Sequence, residues 1–318
     1  CALLEAEKFA TIATLLGADY PYLALDKAWR HLLFNAHHDA LTGSESDQTY
    51  VDLVASYREA WELATTARAD ALRFIGKHIN TQQKDGLPFA VLNSLSWART
   101  DIAIAELELP PDAKGLAIED AEGRPAPAQL LTQVTRPDGR RCQRIAFLAS
   151  DIPSLGYRLF FVRPSAAAQD PADPRARASQ RATIENDFYR VTVDAKRGGA
   201  VVSLLDKTTG KELIRPGLPA RGNDLVAHKE YPDHPKWGEG PWNIAPTGEK
   251  YYSHQYSAQV ETQAGPLFSR ITIRGPFVEC QRLQEIILWQ GIPRVDFRTH
   301  IINYQGENWL YKIHFPLA

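Results

Sequence analysis

The chain has 318 residues, of which 44% are hydrophobic and 23% charged, with a formal net charge of −2. This is ordinary composition for a globular protein of two or three domains. Balanced charge without a dense basic run gives no reason to expect nucleic acid, no apolar stretch is long enough to span a bilayer, and Cys1, Cys142 and Cys280 are too few and too scattered for a disulfide framework or a cysteine metal site, which favours a reducing, cytoplasmic setting.

The chain opens at Cys1 and contains no methionine, so a piece of a longer protein is expected. Its first part reads as helical. Leu3, Leu4, Phe9, Ile12, Leu15 and Leu16 recur at helical spacing and stop at Gly17. After Asp19-Tyr20-Pro21-Tyr22 a second helix places Trp29, Leu32, Leu33, Ala36 and Ala40 on one stripe and is expected to run on to Thr42-Gly43. Ser44, Ser46 and Asp47 suit the start of a third helix, in which Tyr50, Leu53, Val54, Tyr57, Trp61, Leu63, Ala64, Ala67, Leu72 and Ile75 continue the pattern to about Ile79. Three helices on short links predict an antiparallel three-helix bundle over 1–85.

Beyond Lys84-Asp85-Gly86 the pattern turns to short β-type runs: Phe89–Leu92, Ile102–Leu109, Ile145–Leu148 and Tyr157–Val162, a small β-sandwich over 86–164. The Ala/Pro/Asp/Arg-rich stretch 165–180 reads as a linker or loop. Alternating strands follow at Ala182–Ile184, Phe188–Val193, Val201–Leu205, Tyr256–Val260, Ser269–Arg274, Leu283–Leu288, Val295–Ile302 and Trp309–Phe315. They predict a larger antiparallel sandwich over 181–318, truncated at the end of the chain. The fold class expected is α+β, a three-helix bundle followed by antiparallel β-sandwich domains.

Two stretches carry chemistry. Asn35-Ala36-His37-His38-Asp39-Ala40-Leu41-Thr42-Gly43 sets imidazoles beside a carboxylate at a helix end, and His31, Asn35 and His38 fall at i, i+4 and i+7. A lone helical histidine more often serves the surface or core than a metal, and zinc takes three or four N, O or S ligands, so other donors would have to come from elsewhere. The second stretch, Asn223-Asp224 and His228 to Trp242, is read as a polar-aromatic loop. His234, Trp237, Glu239 and Trp242 are candidates to meet sugar faces and hydroxyls, or else pack the loop on the sandwich. Glu185-Asn186 is read as structural, Asp206 to Lys211 as a turn with solvated lysines, and Gly198-Gly199 as no phosphate loop, since no strand-to-helix transition follows it.

The segment Trp29 to Ser44 resembles the signature opening the middle domain of glycoside hydrolase family 38, the class II α-mannosidases. Val91-Leu92-Asn93-Ser94-Leu95-Ser96-Trp97, Ile184-Glu185-Asn186-Asp187-Phe188-Tyr189, Gly198-Gly199-Ala200-Val201-Val202-Ser203-Leu204-Leu205-Asp206-Lys207 and Pro293-Arg294-Val295-Asp296-Phe297 are similar to later motifs of that family, in the same order. The resemblance implies a mutarotase-like supersandwich for the β part and a catalytic α/β barrel, absent from these residues, that holds the nucleophile, the general acid and the remaining zinc ligands. It implies that His38 completes the zinc site, that Asp39 holds sugar hydroxyls, and that no catalytic residue lies in this chain. The implied reaction is retaining hydrolysis of terminal α-mannosyl residues of oligosaccharides, with Zn2+ reading the mannose 2- and 3-hydroxyls. The implied partner is a mannose-containing oligosaccharide, not nucleic acid or membrane, with a homo-oligomer left open through a parent enzyme. The chain alone is expected to be inert. The alternatives are a non-catalytic carbohydrate-binding β-sandwich module and, on fold alone, a mutarotase-like epimerase.

Overall fold

The computed structural model describes residues 2–81, 86–109, 115–165, 177–178, 180–238 and 243–318. One compact unit comprises residues 1–99, 120–123 and 151–161; a second comprises 100–119, 124–150 and 162–318.

The first unit opens with helices α1 (Ala2–Leu15), α2 (Tyr22–Asn35), α3 (His38–Thr42) and α4 (Asp47–Lys77). Helices α1 and α2 both pack along α4. The seam is lined with alanines: Ala6, Ala10 and Ala13 of α1 and Ala28 of α2 face Ala60, Ala64, Ala67 and Ala71 of α4, with Leu3, Phe9, Leu25 and Ile75 filling the remaining space. Alanines at i, i+4, i+7 and i+11 keep one face of α4 flat, cost no side-chain entropy and let the helix backbones come close. This corrects the expected stripes. Leu32, Leu33, Tyr50, Val54, Tyr57 and Trp61 are exposed, because the close approach along the alanine seam displaces larger side chains to its flanks. Trp29 is half-buried and its Nε1 donates to Glu7 Oε1 at 2.7 Å. Ser46 caps α4, its Oγ accepting from Thr49 N at 3.3 Å.

In the same unit Asn93 is fully buried and clamps a turn. Its Nδ2 donates to the carbonyls of Trp97 (2.7 Å), Ile152 (3.3 Å) and Pro153 (3.0 Å), and its Oδ1 accepts from Leu95 N at 3.0 Å. Nearly every polar position of one amide is thus used on backbone that has no ladder partner.

The strands in chain order are β1 (Leu87–Leu92), β2 (Arg99–Leu109), β3 (Gly115–Asp120), β4 (Ala128–Thr135), β5 (Arg141–Ile152), β6 (Tyr157–Ser165), β7 (Arg177–Ala178), β8 (Arg181–Glu185), β9 (Tyr189–Asp194), β10 (Ala200–Asp206), β11 (Lys211–Glu212), β12 (Asp224–Glu230), β13 (Pro246–Tyr252), β14 (Gln259–Ala264), β15 (Phe268–Phe277), β16 (Cys280–Trp289), β17 (Val295–Ile302) and β18 (Trp309–His314). The second unit contains the sheets β2-β5-β4, β11-β10-β9-β8, β13-β12-β18 and β17-β16-β15-β14-β7.

The period of two along β16 explains its layering. Ile286 and Leu288 face one way and join Val191, Val193, Val201 and Leu204 of β9 and β10 in a sandwich core. Ile287 and Trp289 face the other way and pack with Ala146 of β5, Ile102 of β2 and Leu131 of β4. The β14–β17 sheet is therefore buried on both faces by two different sheets.

Several expected boundaries shift. Asp224–Glu230 and Pro246–Tyr252 are paired strands; the first overlaps the stretch read as loop and the second had not been expected, because neither alternates in burial and His228, Lys229, Glu230 and Lys250 give them a polar look. Tyr256 to Ala258 precede β14 instead of opening it, since a one-turn helix at Ser253–Gln255 intervenes. Strands β3, β4 and β11 had not been expected. Of the stretch 165–180, residues 166–176 and 179 lie outside the described residues, while Arg177–Ala178 pairs with Thr262 and Glu261 of β14 and so belongs to a sheet.

The resemblance motifs have local physical causes. Asn186, 4% exposed, repeats the clamp of Asn93: Nδ2 donates to Trp289 O (2.7 Å) and Ile292 O (3.2 Å), and Oδ1 accepts from Phe188 N and Tyr189 N. Glu185 pairs with Arg190 at 2.5 Å, as a structural residue would. Gly198 and Gly199 have φ of 61° and 69°, and a Cβ on Gly198 would lie 2.1 Å from Ser253 O. Lys207 is not simply solvated: its Nζ donates to Asn186 O at 2.6 Å.

Candidate functional site

Helix α2 stops at Asn35, seven residues short of the expected end. Asn35 is the reason. It is buried against α4, donating from Nδ2 to Leu53 O (3.1 Å) and Ser56 Oγ (2.6 Å), and its carbonyl accepts from Tyr57 OH at 3.0 Å. A carbonyl held by a tyrosine of another helix is drawn off the axis of its own. His37 then adopts an extended conformation (φ −53°, ψ 141°), and the single turn α3 starts at His38. Gly43, at φ 71°, closes that turn. Thr42 Oγ1 donates to His38 O and Asp39 O, both at 3.0 Å, and Ser44 N donates to Asp39 O at 3.3 Å.

The break separates His38 from the face of His31, which instead meets Glu59 Oε2 at 2.9 Å. Glu59 also pairs with Lys27, whose hydrogen bond is the main cause that holds its carboxyl below the ordinary range. The proposed polar stripe of His31, Asn35 and His38 is therefore not continuous.

Outside the bundle core, His37, His38 and Asp39 converge. Their side chains are 57%, 81% and 45% exposed. His38 Nε2 lies 3.6 Å from Asp39 Oδ1, His37 Nδ1 lies 3.7 Å from Asp39 Oδ2, and the ring centroids are 4.4 Å apart. One ligating atom from each falls within 4.8 Å of the others, the only such trio of His, Cys, Asp or Glu among the described residues. Zinc bound tetrahedrally at about 2.0–2.1 Å needs donors roughly 3.4 Å apart, and two imidazoles with a carboxylate are a donor set it accepts. The donor types suit zinc, the spacing is somewhat wider than a bound ion would hold, and His38 can serve as one ligand while Asp39 stays beside it. His37 had not been singled out from sequence; the bend at Ala36-His37 that brings it to Asp39 has no signature in residue type.

The second candidate group divides. Glu239 and Trp242 lie outside the described residues. His234 and Trp237 stack at 4.1 Å with an 11° interplanar angle, and Lys236 Nζ sits 5.5 Å from the indole centroid. His234 Nδ1 accepts from Lys236 N and Trp237 N, both at 3.2 Å, so one ring nitrogen is spent on the turn. One indole face is covered by imidazole, and Trp237 is 57% exposed. His228 lies on β12, where burial and the nearby Lys312, His314 and Lys250 lower its pKa.

A buried polar network centred on Asp224 had not been foreseen. Asp224, fully buried, accepts from Ser253 Oγ (2.8 Å), His254 N (3.1 Å), His254 Nδ1 (2.6 Å) and Arg221 N (3.1 Å). Arg282, 2% exposed, donates to Gly198 O at 2.5 Å, and burial pushes its pKa down to about 10, opposed by the charge of Asp224. Ser253 donates to the carboxylate and not to the imidazole, so this is no nucleophile-base relay.

Residues 1–75 match the family model of the alpha mannosidase middle domain, and residues 184–318 match that of the glycosyl hydrolases family 38 C-terminal domain. The chain belongs to glycosyl hydrolase family 38. Among family 38 relatives, Alpha-mannosidase 2C1 of Mus musculus is 24% identical over 329 residues, covering 99% of this chain and 27% of that protein. The Homo sapiens protein of the same name is 24% identical over 322 residues, with the same coverage of 99% and 27%. The epididymis-specific alpha-mannosidase of Homo sapiens is 27% identical over 188 residues, 54% of this chain and 18% of that protein. The chain thus spans about a quarter of the length of these relatives. The crystal structure of an alpha-mannosidase from Enterococcus faecalis V583 shares the fold, with a TM-score of 0.77 at 15% identity over 99% of this chain and 41% of that one.

Proposed function

We propose that this chain is the middle and C-terminal portion of a zinc-dependent, retaining α-mannosidase acting on terminal α-mannosyl residues of oligosaccharides. In this reading His38 is a zinc ligand and Asp39 binds substrate hydroxyls. The bundle is residues 1–85, the small sandwich 86–164, the stretch 165–180 connects, and the large sandwich is 181–318. One observation carries the assignment: a break in the bundle projects His38 and Asp39 outward on a capped single turn, away from the alanine seam that folds the unit. Folding does not need this exposed pair.

His38 offers a ring nitrogen as a ligand atom. Asp39 keeps two oxygens, each with lone pairs to accept hydroxyl protons from a sugar. His37 stands beside the other Asp39 oxygen, at 3.7 Å. Zinc, when bound, would act as a Lewis acid gripping vicinal hydroxyls and would favour the axial 2-hydroxyl that separates mannose from glucose. The remaining donors are needed from elsewhere, as four-coordinate zinc requires.

The test is His38→Ala in the longer enzyme that includes the catalytic barrel. Metal analysis is expected to show loss of zinc, and aryl-mannoside turnover to drop by about a hundredfold or more, the scale of losing a first ligand. Normal zinc content with normal turnover refutes the assignment.

A further inference from the structure

Helix α4 carries a second apolar stripe beside its alanine seam. Tyr50, Val54, Tyr57 and Trp61 recur at i, i+4, i+7 and i+11, so they share one face. None of the four is buried, and Tyr50 and Trp61 are each 60% exposed. Leu32 of α2 is exposed too, one turn along from Trp29. Single exposed apolar side chains are ordinary on a protein surface, but an unbroken row of large ones along one helix marks a contact surface.

Further along α4 the same face is covered. Arg68 stands about five turns after Tyr50 on that face. There Glu5 of α1 meets it, with Nη1 2.6 Å from Oε2. On α2, Trp29 is met by Glu7 of α1. The direction of α1 follows from its neighbours. Asn35 bonds to Leu53 and Ser56, and His31 to Glu59, so α2 runs antiparallel to α4. The short link over 16–21 turns the chain back between α1 and α2, which leaves α1 parallel to α4. The first turn of α1 therefore points along the bare stripe, with Trp61, Tyr57, Val54 and Tyr50 following in that order on its line.

We propose that this face of α4 holds a further helix, the segment that leads into α1 in the longer polypeptide, lying parallel to α4 with its own apolar residues on the stripe. Two facts select this occupant. The stripe continues an interface that α1 already makes, on the same face of α4 and beside the same α2. This chain also covers only 27% of its Alpha-mannosidase 2C1 relatives, so a polypeptide of that kind has chain to place there. The stripe is about 16 Å long, which about three helical turns span. The docked helix bears on the site as well. Asn35 is fastened to α4 at Leu53, Ser56 and Tyr57, inside the stretch it clamps, and His37, His38 and Asp39 follow Asn35 closely. The inference rests on the reading of the chain as part of a longer enzyme, and on neither zinc nor turnover.

Hydroxyl-radical footprinting of the 318-residue chain and of the longer enzyme, read residue by residue by mass spectrometry, tests it. Tyr50 and Trp61 are expected to be oxidised in the chain alone and to lose that reactivity in the longer enzyme. The photo-crosslinking residue p-benzoylphenylalanine, placed at Val54 in the longer enzyme, is expected to capture the segment leading into α1. Val54→Glu combined with Trp61→Glu gives a third readout. Both positions are exposed in the chain alone, so its Tm stays within about 1 °C, whereas carboxylates forced under a docked helix lower the Tm of the longer enzyme by about 4 °C or more. Equal oxidation in the two proteins, a crosslink to any other segment or to a second copy, or equal Tm shifts in the two proteins overturns the proposal.

Discussion

Asp39 shows how much one carboxylate is asked to do in this chain. Its backbone carbonyl holds the turn through Thr42 and Ser44, and its two side-chain oxygens each face a different imidazole. The fold uses the main chain and leaves the carboxylate free for a ligand. Asp39→Asn preserves the turn and removes the charge, so in the longer enzyme it is expected to retain zinc while losing turnover by about ten- to a hundredfold, with KM raised. Metal content and steady-state kinetics on an aryl mannoside check this; unchanged kinetics would remove Asp39 from the site. His38 and Asp39 stand out in the sequence because imidazole next to carboxylate in that motif is distinctive. His37 does not, because its role depends on one extended residue between two helices.

At the scale of the element, buried or capping side chains hold the turns together. Asn35 ends α2, Asn93 and Asn186 clamp loops, and Asp206 closes the β10–β11 turn. Asp206 accepts from Thr208 Oγ1 at 2.6 Å and Thr209 Oγ1 at 2.8 Å, and these hydrogen bonds lower its pKa from 3.8 to about 2. A carboxylate depressed on folding stabilises fully above its unfolded value, and that contribution is lost as pH falls through the folded one. The turn's stabilisation is therefore complete above about pH 4 and disappears towards pH 2. Thr208→Ala is expected to move the Asp206 pKa up towards 3.8, read by carboxyl-carbon NMR titration; an unmoved pKa would show that Thr208 does not hold it. Most strands with clean alternation were readable in sequence, and Val295–Ile302 matches residue for residue. Strands β12 and β13 were not, because lysine, histidine and glutamate on a half-exposed sheet look like loop to a hydropathy pattern. The end of α2 was misread for the opposite reason: the apolar period continues through Leu32, Leu33, Ala36 and Ala40, although none of these is buried.

At the scale of the whole molecule, the sandwich unit is tied together by a polar network as well as by its apolar cores. Asp224 on β12, the Ser253-His254 turn and Arg282 on β16 converge in a region with almost no solvent. Removing one partner of such a network leaves a buried charge uncompensated, which costs far more than the network's net gain. Asp224→Ala is expected to destabilise the sandwich unit by about 3–5 kcal/mol, measured by urea denaturation of the sheet signal. A change below about 1 kcal/mol would mean that water replaces the carboxylate.

The amino-acid sequence by itself determined that helices come first and antiparallel sheets follow, that the chain carries the marks of one glycosidase family, and that His38 and Asp39 are its distinctive pair. These are local facts, written in periodicity, in turn residues and in short motifs. Tertiary structure alone decided which apolar residues are core, where α2 breaks, that His37 joins Asp39, and that one face of α4 is covered by α1 along part of its length and bare from Tyr50 to Trp61. Those outcomes depend on which backbones approach closely and which charges lose their water, and both are set by residues far apart in the chain.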